Sequence, residues 1–520
     1  MMPTHNDKSG ASPTAVHQRS QPHKANIIDF TITVPGCERK STDEPPKPRW
    51  WTPEFYFYYL IFLIVVPIMI YIPIRLSSSL GYLVPSHLLR RLGYTSAPAR
   101  AIFISVFAVG MLFGLHGWSV LKILAILAVN YFAAKAKKPA TLEKLWPGVV
   151  ICVNMGLLLL SRKFDGYRFS LLHDSLGALD SMDGMLSWEV SFNFSVLRII
   201  SFALDYHWRA VPPTTAPTEY RDRVKASHPE EEYNFLYYIA YILYPPTYIA
   251  GPIMTFNDFM WQLRHPVEIT PRERVSYLVR FAGCMLTLES ILHTMYVTAM
   301  QKTQAWQGAS AADLSMIGFW NLVIVWLKLL IPWRFFRLWA LLDGVDPPEN
   351  MVRCVANNYS TLGFWRSWHR SYNLWTVRYI YVPLGGAKRV FLSTVLVFTF
   401  VALWHDLSWQ LLAWGWLVAG FVVPELVGRA LVPASKYGQK WWYRHVAAFG
   451  GALNVLLMMT ANLVGFVLGL DGVKYLISML LGTGSGILTL LFNIACLFIA
   501  VQVMFEYREE EARKGIDRRC

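Results

Sequence analysis

The run VFLSTVLVFTFVALWHDLSWQLLAWGWLVAGFVVPELV, residues 390–427, decides what kind of fold this chain adopts. Across 38 residues its only ionisable side chains are His405, Asp406 and Glu425. As one α-helix it would extend about 57 Å, against about 30 Å of bilayer hydrocarbon. It must therefore break, leaving apolar stretches at 390–404 and 411–427. An ionisable pair inside such a run is costly and by default marks a function facing an interior cavity. The bland alternative is that His405 only hydrogen-bonds at a helix end or interface, and the run by itself leaves both open.

The same character extends along the chain. Apolar residues make up 54% and charged residues 16%, with a mean hydropathy of +0.33. Soluble domains carry about 25% charged residues, so this chain lacks the polar groups to cover a water-facing surface. Further apolar runs at 55–74, 101–115, 120–134, 149–160, 316–331, 446–470 and 487–505 complete the pattern. Some are shorter than the roughly 20 residues a spanning helix needs. The chain is thus predicted to be an all-α polytopic membrane protein with about 9–12 transmembrane or re-entrant helices.

The formal charge of +14 does not point to nucleic acid. The cations sit between apolar runs, as at Arg90, Arg91, Arg100, Lys135, Lys137, Lys138, Arg162 and Lys163. That is how membrane proteins mark cytosolic loops and meet anionic headgroups. The six cysteines, Cys37, Cys152, Cys284, Cys354, Cys496 and Cys520, form no CxxC pair or metal-type spacing. No required metal is indicated.

Residues 1–49 are rich in Pro, Ser, Thr and His and read as a disordered polar tail without the apolar core of a signal peptide. A single membrane domain is expected over 50–507, with a charged tail over 508–520 and a cytosolic C-terminus. No repeat is visible, which weakens an inverted-repeat transporter design. The polar insert 209–233 is predicted to be a loop on one membrane face. YPPTYIAGPIMTFNDF, 244–259, is apolar but holds Pro245, Pro246 and Pro252, so its non-helical backbone must be buried in protein or line a wet cavity. LLGTGSGILTLL, 480–491, lacks both the preceding strand and the Gly-Lys-Ser of a phosphate loop and reads as a break between apolar stretches.

The segment FWRSWHRSYNLWTVRYIYVPLGG, 364–386, crowds one histidine, three arginines, three tryptophans and three tyrosines into 23 residues. Trp365, Trp368, Tyr372, Trp375, Tyr379 and Tyr381 suit a segment lying at a membrane interface. Arg366, Arg370 and Arg378 suit either snorkelling to headgroups or gripping the phosphates of an anionic ligand. His369 precedes His405 by 36 residues, so only tertiary structure brings the two together.

This segment, followed by FVALWHD (400–406), resembles the signature of the membrane-bound O-acyltransferase (MBOAT) superfamily. More narrowly it is similar to the fungal and protozoan branch called glycerol uptake proteins, relatives of hedgehog acyltransferase. LRIISFALDYHW (197–208) and YPPTYIAGPIMTFNDF match motifs of that branch in the same order. The likeness covers most of 185–410 and implies an MBOAT fold around a central reaction chamber, with a catalytic core at about 185–430.

By that resemblance the family's invariant histidine falls on His405, and its second polar position falls on His369. The hedgehog branch has Asp at the second position. Cys354 matches a position that ligates haem in hedgehog acyltransferase, although a small buried hydrophobe is the plainer reading of this residue. The implied reaction moves an acyl chain from acyl-CoA to a hydroxyl, with His405 as general base. A neutral imidazole is available near pH 7, since the ordinary histidine pKa is about 6.5. His369 would orient the acceptor, polarise the thioester or steady the oxyanion. Arg378, Lys388 and Arg389 are candidates for the CoA phosphates. Trp365 and Trp368 are candidates for the acyl path, with Arg366 and Asn373 as further substrate-binding candidates.

The branch implies as acceptor the sn-2 hydroxyl of a lyso-GPI anchor on proteins, in the endoplasmic reticulum membrane or also the plasma membrane. The rival readings are a proton-coupled glycerol or polyol transporter, using the same histidines as a relay, and a catalytically silent regulator.

Overall fold

A computed structural model describes residues 78–516 and Arg518, apart from 165, 183, 211–216, 218, 297–299 and 301–307. The predicted tail 1–49 and the apolar run 55–74 lie outside the described residues, as do Cys37 and Cys520. What is described is helical. Its one isolated β-bridge, between Met351 and Trp368, turns out to matter for the site.

Eight segments among the described residues are long and apolar enough to cross a membrane. We name the principal helices α1 (Ser78–Arg91), α2 (Ala97–His116), α3 (Val120–Lys135), α4 (Ala140–Lys163), α5 (Trp188–His207), α6 (Phe235–Ile242), α7 (Phe256–Arg264) and α8 (Pro271–Thr294). They continue as α9 (Ala311–Leu342), α10 (Thr361–Ser367), α11 (Arg370–Thr376), α12 (Val390–His405), α13 (Trp409–Leu431), α14 (Tyr443–Phe466), α15 (Gly469–Gly482) and α16 (Gly484–Arg513). The chain is an all-α multi-pass membrane protein.

The decisive run breaks at His405. Asp406 is fully extended, and the Ser408 hydroxyl then caps α13 by accepting from the Leu411 N–H at 3.2 Å. The two resulting helices pack closely enough that a Cβ at Gly415 would stand 2.8 Å from the Phe398 carbonyl. A side chain there would push α12 and α13 apart.

Helix α5 is buried along most of its length instead of facing lipid. Ser191, Ser195, Arg198, Ser201 and Asp205 recur on it every three or four residues, which places a polar stripe inside the protein. That stripe serves the proline-rich stretch. The Phe256 N–H donates to the Ser201 hydroxyl at 3.1 Å and the Asn257 N–H to Asp205 at 3.2 Å. The Ile253 N–H donates to Ser371 at 2.8 Å, and the Met254 carbonyl accepts from Tyr241 at 2.7 Å. Non-helical backbone is tolerated here because protein, not lipid, surrounds and satisfies it.

Two polar segments are more embedded than their composition predicts. In the insert 209–233, Tyr220, Val224 and His228 are buried, and Arg223 pairs with the fully buried Asp258 at 2.7 Å. At the other end, helix α16 runs through the expected tail boundary at 508 to Arg513. Its Glu511 is buried against Arg353 by two contacts of 3.1 and 2.8 Å. Each segment contributes charges that are matched by partners far away in sequence.

Candidate functional site

His369 occupies the junction between α10 and α11, and its backbone is left-handed, with φ 43° and ψ 48°. Among the described residues only Tyr167 and His369 do this without being glycine. The conformation costs an L-residue roughly 1–2 kcal/mol, so surrounding structure must impose it. Here a short antiparallel pairing does so. Arg370 N–H donates to the Asn350 backbone carbonyl and Ser371 N–H to its side-chain oxygen, both at 3.0 Å. Val352 N–H reaches the Ser367 carbonyl at 3.3 Å, completing the Met351–Trp368 bridge.

The imidazole this junction presents is held by aromatic rings. His369 stacks on Trp333 at 4.4 Å between centroids and on Tyr372 at 5.1 Å. Trp404 lies 6.4 Å from His369, 4.7 Å from Tyr372 and 4.9 Å from His405. The two histidines, distant in sequence, therefore meet across one indole. His369 is 9% exposed, and its Nε2 is buried without a hydrogen-bond partner. Burial, and then the neighbouring His405, hold its pKa far below the usual histidine value, at about 3. The ring is neutral at physiological pH.

His405 is the last residue of α12. Its ring packs edge-on to Trp404, Trp414 and Phe466. Unlike His369, it keeps accessible surface. Arg162, from the C-terminal end of α4, fixes this helix end. Its guanidinium donates to the His405 carbonyl at 3.0 Å and the Trp404 carbonyl at 3.3 Å, and it pairs with Asp406 at 2.8 Å. A cation on the last carbonyls of a helix also suits the helix dipole. Asp406 is thus a partner in an ion pair, not a second free group beside the histidine.

The other residues singled out in the sequence fare differently. Trp365 packs edge-on to Phe398 and Trp414 and so borders the His405 surroundings. Trp368 stacks on Phe364 and carries the β-bridge. Arg366 and Asn373 are half-buried on α10 and α11. Arg378 is already engaged. It contacts Asp205 at 2.7 and 3.2 Å, and that carboxylate also accepts from Tyr379 at 2.9 Å. Its charge is matched inside the protein and braces the segment onto α5. Lys388 and Arg389 are exposed at the start of α12, a helix about 24 Å long at 1.5 Å per residue, with His405 at its other end.

The aromatic segment is not an interfacial one throughout. Tyr372, Trp375 and Tyr379 are buried, and Trp375 Nε1 donates to the Leu197 carbonyl at 3.0 Å. The polar atoms of Trp375 and Tyr379 bond to residues of α5, which is why these residues, suited to an interface, lie in the core.

Cys354 sits on a turn whose carbonyl accepts from Asn357 and Asn358, and its thiol keeps accessible surface. Partial burial raises its pKa, favouring the thiol over the thiolate that a haem iron takes. Among the described residues no group of three His, Cys, Asp or Glu can hold a metal ion. Haem at Cys354 therefore finds no support in the surroundings of this residue.

Arg162, Trp333 and Trp404 were not legible as site residues. Arg162 read as one of many loop cations, Trp404 as an ordinary member of an apolar run, and Trp333 lay just past the end of one. The polar character of Asp406 beside His405 was the available signal that a cation from elsewhere would be needed there.

Comparison with known proteins places the chain in a family. A profile of the MBOAT, membrane-bound O-acyltransferase, family matches residues 175–470, which include both histidines. The chain is 41% identical to membrane-bound O-acyltransferase GUP1 of Candida tropicalis, over 91% of this chain and 90% of that protein. It is 40% identical to membrane-bound O-acyltransferase GUP1 of Saccharomyces cerevisiae, over 95% and 99%. Protein-cysteine N-palmitoyltransferase HHAT of Mus musculus is 28% identical, over 37% and 39%.

Proposed function

Because this chain belongs to the membrane-bound O-acyltransferase family and is an acyltransferase of the membrane, we propose that its two histidines carry transfer of a long acyl chain from acyl-CoA to a lipid hydroxyl. The observation that carries this reading is the meeting of His369 and His405 across Trp404, with His405 keeping accessible surface.

In the proposed reaction the acceptor hydroxyl attacks the thioester carbon. A C–O bond forms while the hydroxyl proton passes to His405. The tetrahedral intermediate then collapses, the C–S bond breaks, and the CoA sulfur leaves as a thiol after taking that proton. His405 suits this role because a neutral imidazole can accept and return a proton near pH 7. The neutral His369, with an unoccupied hydrogen-bonding nitrogen, orients the acceptor hydroxyl.

The motifs shared with the glycerol uptake branch support a narrower acceptor: the sn-2 hydroxyl of a lyso-GPI anchor on proteins, in the endoplasmic reticulum. A null strain complemented with this chain tests the acceptor. Lipid analysis is expected to show lyso-GPI accumulating in the null strain and disappearing on complementation. Accumulation of a different lyso-lipid, with GPI anchors unchanged, would refute the acceptor assignment. Glycerol flux into sealed vesicles without acyl-CoA would favour a carrier instead.

A further inference from the structure

Three buried polar groups stand out as unexplained by packing. Arg198 has no acidic partner among the described residues, but its donation to the Ile242 carbonyl at 2.7 Å, at the C-terminal end of α6, gives it a structural role. Asp343 gathers Tyr82, Ser86, Tyr244 and Arg90, and is satisfied by them. Tyr372 is different. Its side chain is 5% exposed and its hydroxyl is buried, yet the hydroxyl has no hydrogen-bond partner.

An unsatisfied buried hydroxyl costs about 1–3 kcal/mol, so a phenylalanine would serve packing better. The position of the hydroxyl gives it a use. Tyr372 is stacked on His369 at 5.1 Å and on Trp404 at 4.7 Å, and Trp404 touches His405. The neighbouring His369 Nε2 is orphaned too. Two stacked rings, each carrying an unpaired polar atom, thus meet at the indole that joins the histidines. A thioester carbon within reach of an acceptor poised at these histidines brings its carbonyl oxygen to the same aromatic wall.

We propose that the Tyr372 hydroxyl is a further catalytic group, donating a hydrogen bond to the thioester carbonyl oxygen and to the oxyanion that forms there. The proposal rests on the acyl-transfer reading above. Tyr372 keeps its proton throughout. As the carbonyl π bond opens, negative charge grows on the oxygen and the O–H···O contact strengthens; as the C–S bond breaks, the π bond re-forms and the electron pair leaves on sulfur, which takes the proton held by His405. A donor fixed in a low-dielectric wall stabilises the transition state more than the bound substrate, which raises kcat with little effect on KM.

The test is Tyr372→Phe in the purified full chain, assayed with labelled acyl-CoA beside His405→Ala. Tyr372→Phe is expected to lower kcat by about 10²–10³-fold, to leave the acyl-CoA KM unchanged, and to leave the thermal midpoint equal or higher, because no protein hydrogen bond is lost. A folded Tyr372→Phe enzyme with kcat within about twofold of wild type overturns the proposal. If His405→Ala is inactive in that case, only the Tyr372 role fails. If His405→Ala also turns over, the acyl-transfer reading of the histidines fails as well. Should Tyr372→Phe not fold, 3-fluorotyrosine at 372 retains the ring and hydroxyl but makes a stronger donor. A faster single-turnover rate supports the role, and an unchanged rate overturns it.

Discussion

Arg162 donates to the backbone carbonyl of His405 at 3.0 Å, tying the end of one membrane helix to the last residue of another. The same guanidinium holds Asp406, so the break in the 390–427 run is fixed by an ion pair from α4. Geometry at a reacting group is worth far more than the stability of a partly exposed pair. Arg162→Leu is therefore expected to lower kcat about 100-fold while the protein remains folded, with Arg162→Lys intermediate. Steady-state kinetics with a parallel thermal-melt control checks this, and an unchanged kcat in Arg162→Leu contradicts it.

The pair formed by Arg353 and Glu511 acts one step further back. Both side chains are buried, and Arg353 lies in the loop whose residues 350–352 pair with the His369 junction. Removing one partner of a buried pair costs about 3–5 kcal/mol. Glu511→Gln is expected to lower the thermal midpoint and kcat together, and the exchange Arg353→Glu with Glu511→Arg to recover part of both. A double variant no better than either single one would remove the case for pairing.

His369 makes stability depend on pH in a definite direction. Burial holds its folded-state pKa near 3, below the unfolded value of about 6.5. Below pH 6.5 the unfolded chain takes up a proton that the folded chain refuses, so this group's contribution to stability is lost as pH falls towards 3. Relative to His369→Asn, the wild type should lose up to about 1.4 kcal/mol per pH unit in this window. Melting curves in detergent from pH 7 to pH 4 measure it. Parallel curves for the two proteins would show that the ring is not buried neutral. Asn suits the substitution because it tolerates left-handed backbone.

The cations of 378–389 are expected to divide by role. Arg378 is committed to Asp205, so Arg378→Ala should chiefly reduce stability. Lys388 and Arg389 are exposed, and their joint replacement by Ala should raise the acyl-CoA KM, more so at low salt, without moving the melting temperature. An unchanged KM would remove these two from the donor site.

The all-helical membrane fold was legible because length and apolarity alone forbid one continuous helix over 390–427. The need for a break between 404 and 411 could be read there, but the geometry that holds it could not. That depends on Arg162, 243 residues away, and on the Ser408 cap. The two histidines were legible by motif resemblance, and their meeting was not, since it runs through Trp404, an unremarkable member of an apolar run. Trp375 and Tyr379 misled for the same reason: aromatic residues with a polar atom suit an interface until a buried partner such as Asp205 or the Leu197 carbonyl is known. The C-terminal charges read as a solvated tail because nothing local shows that Glu511 finds Arg353.

Acyl transfer by His405→Ala, purified in detergent, shown to be folded by its thermal transition and given labelled acyl-CoA with a lyso-lipid acceptor, tests the central claim most directly. The account predicts that turnover falls by orders of magnitude while acyl-CoA still binds. Turnover near the wild-type rate would contradict it.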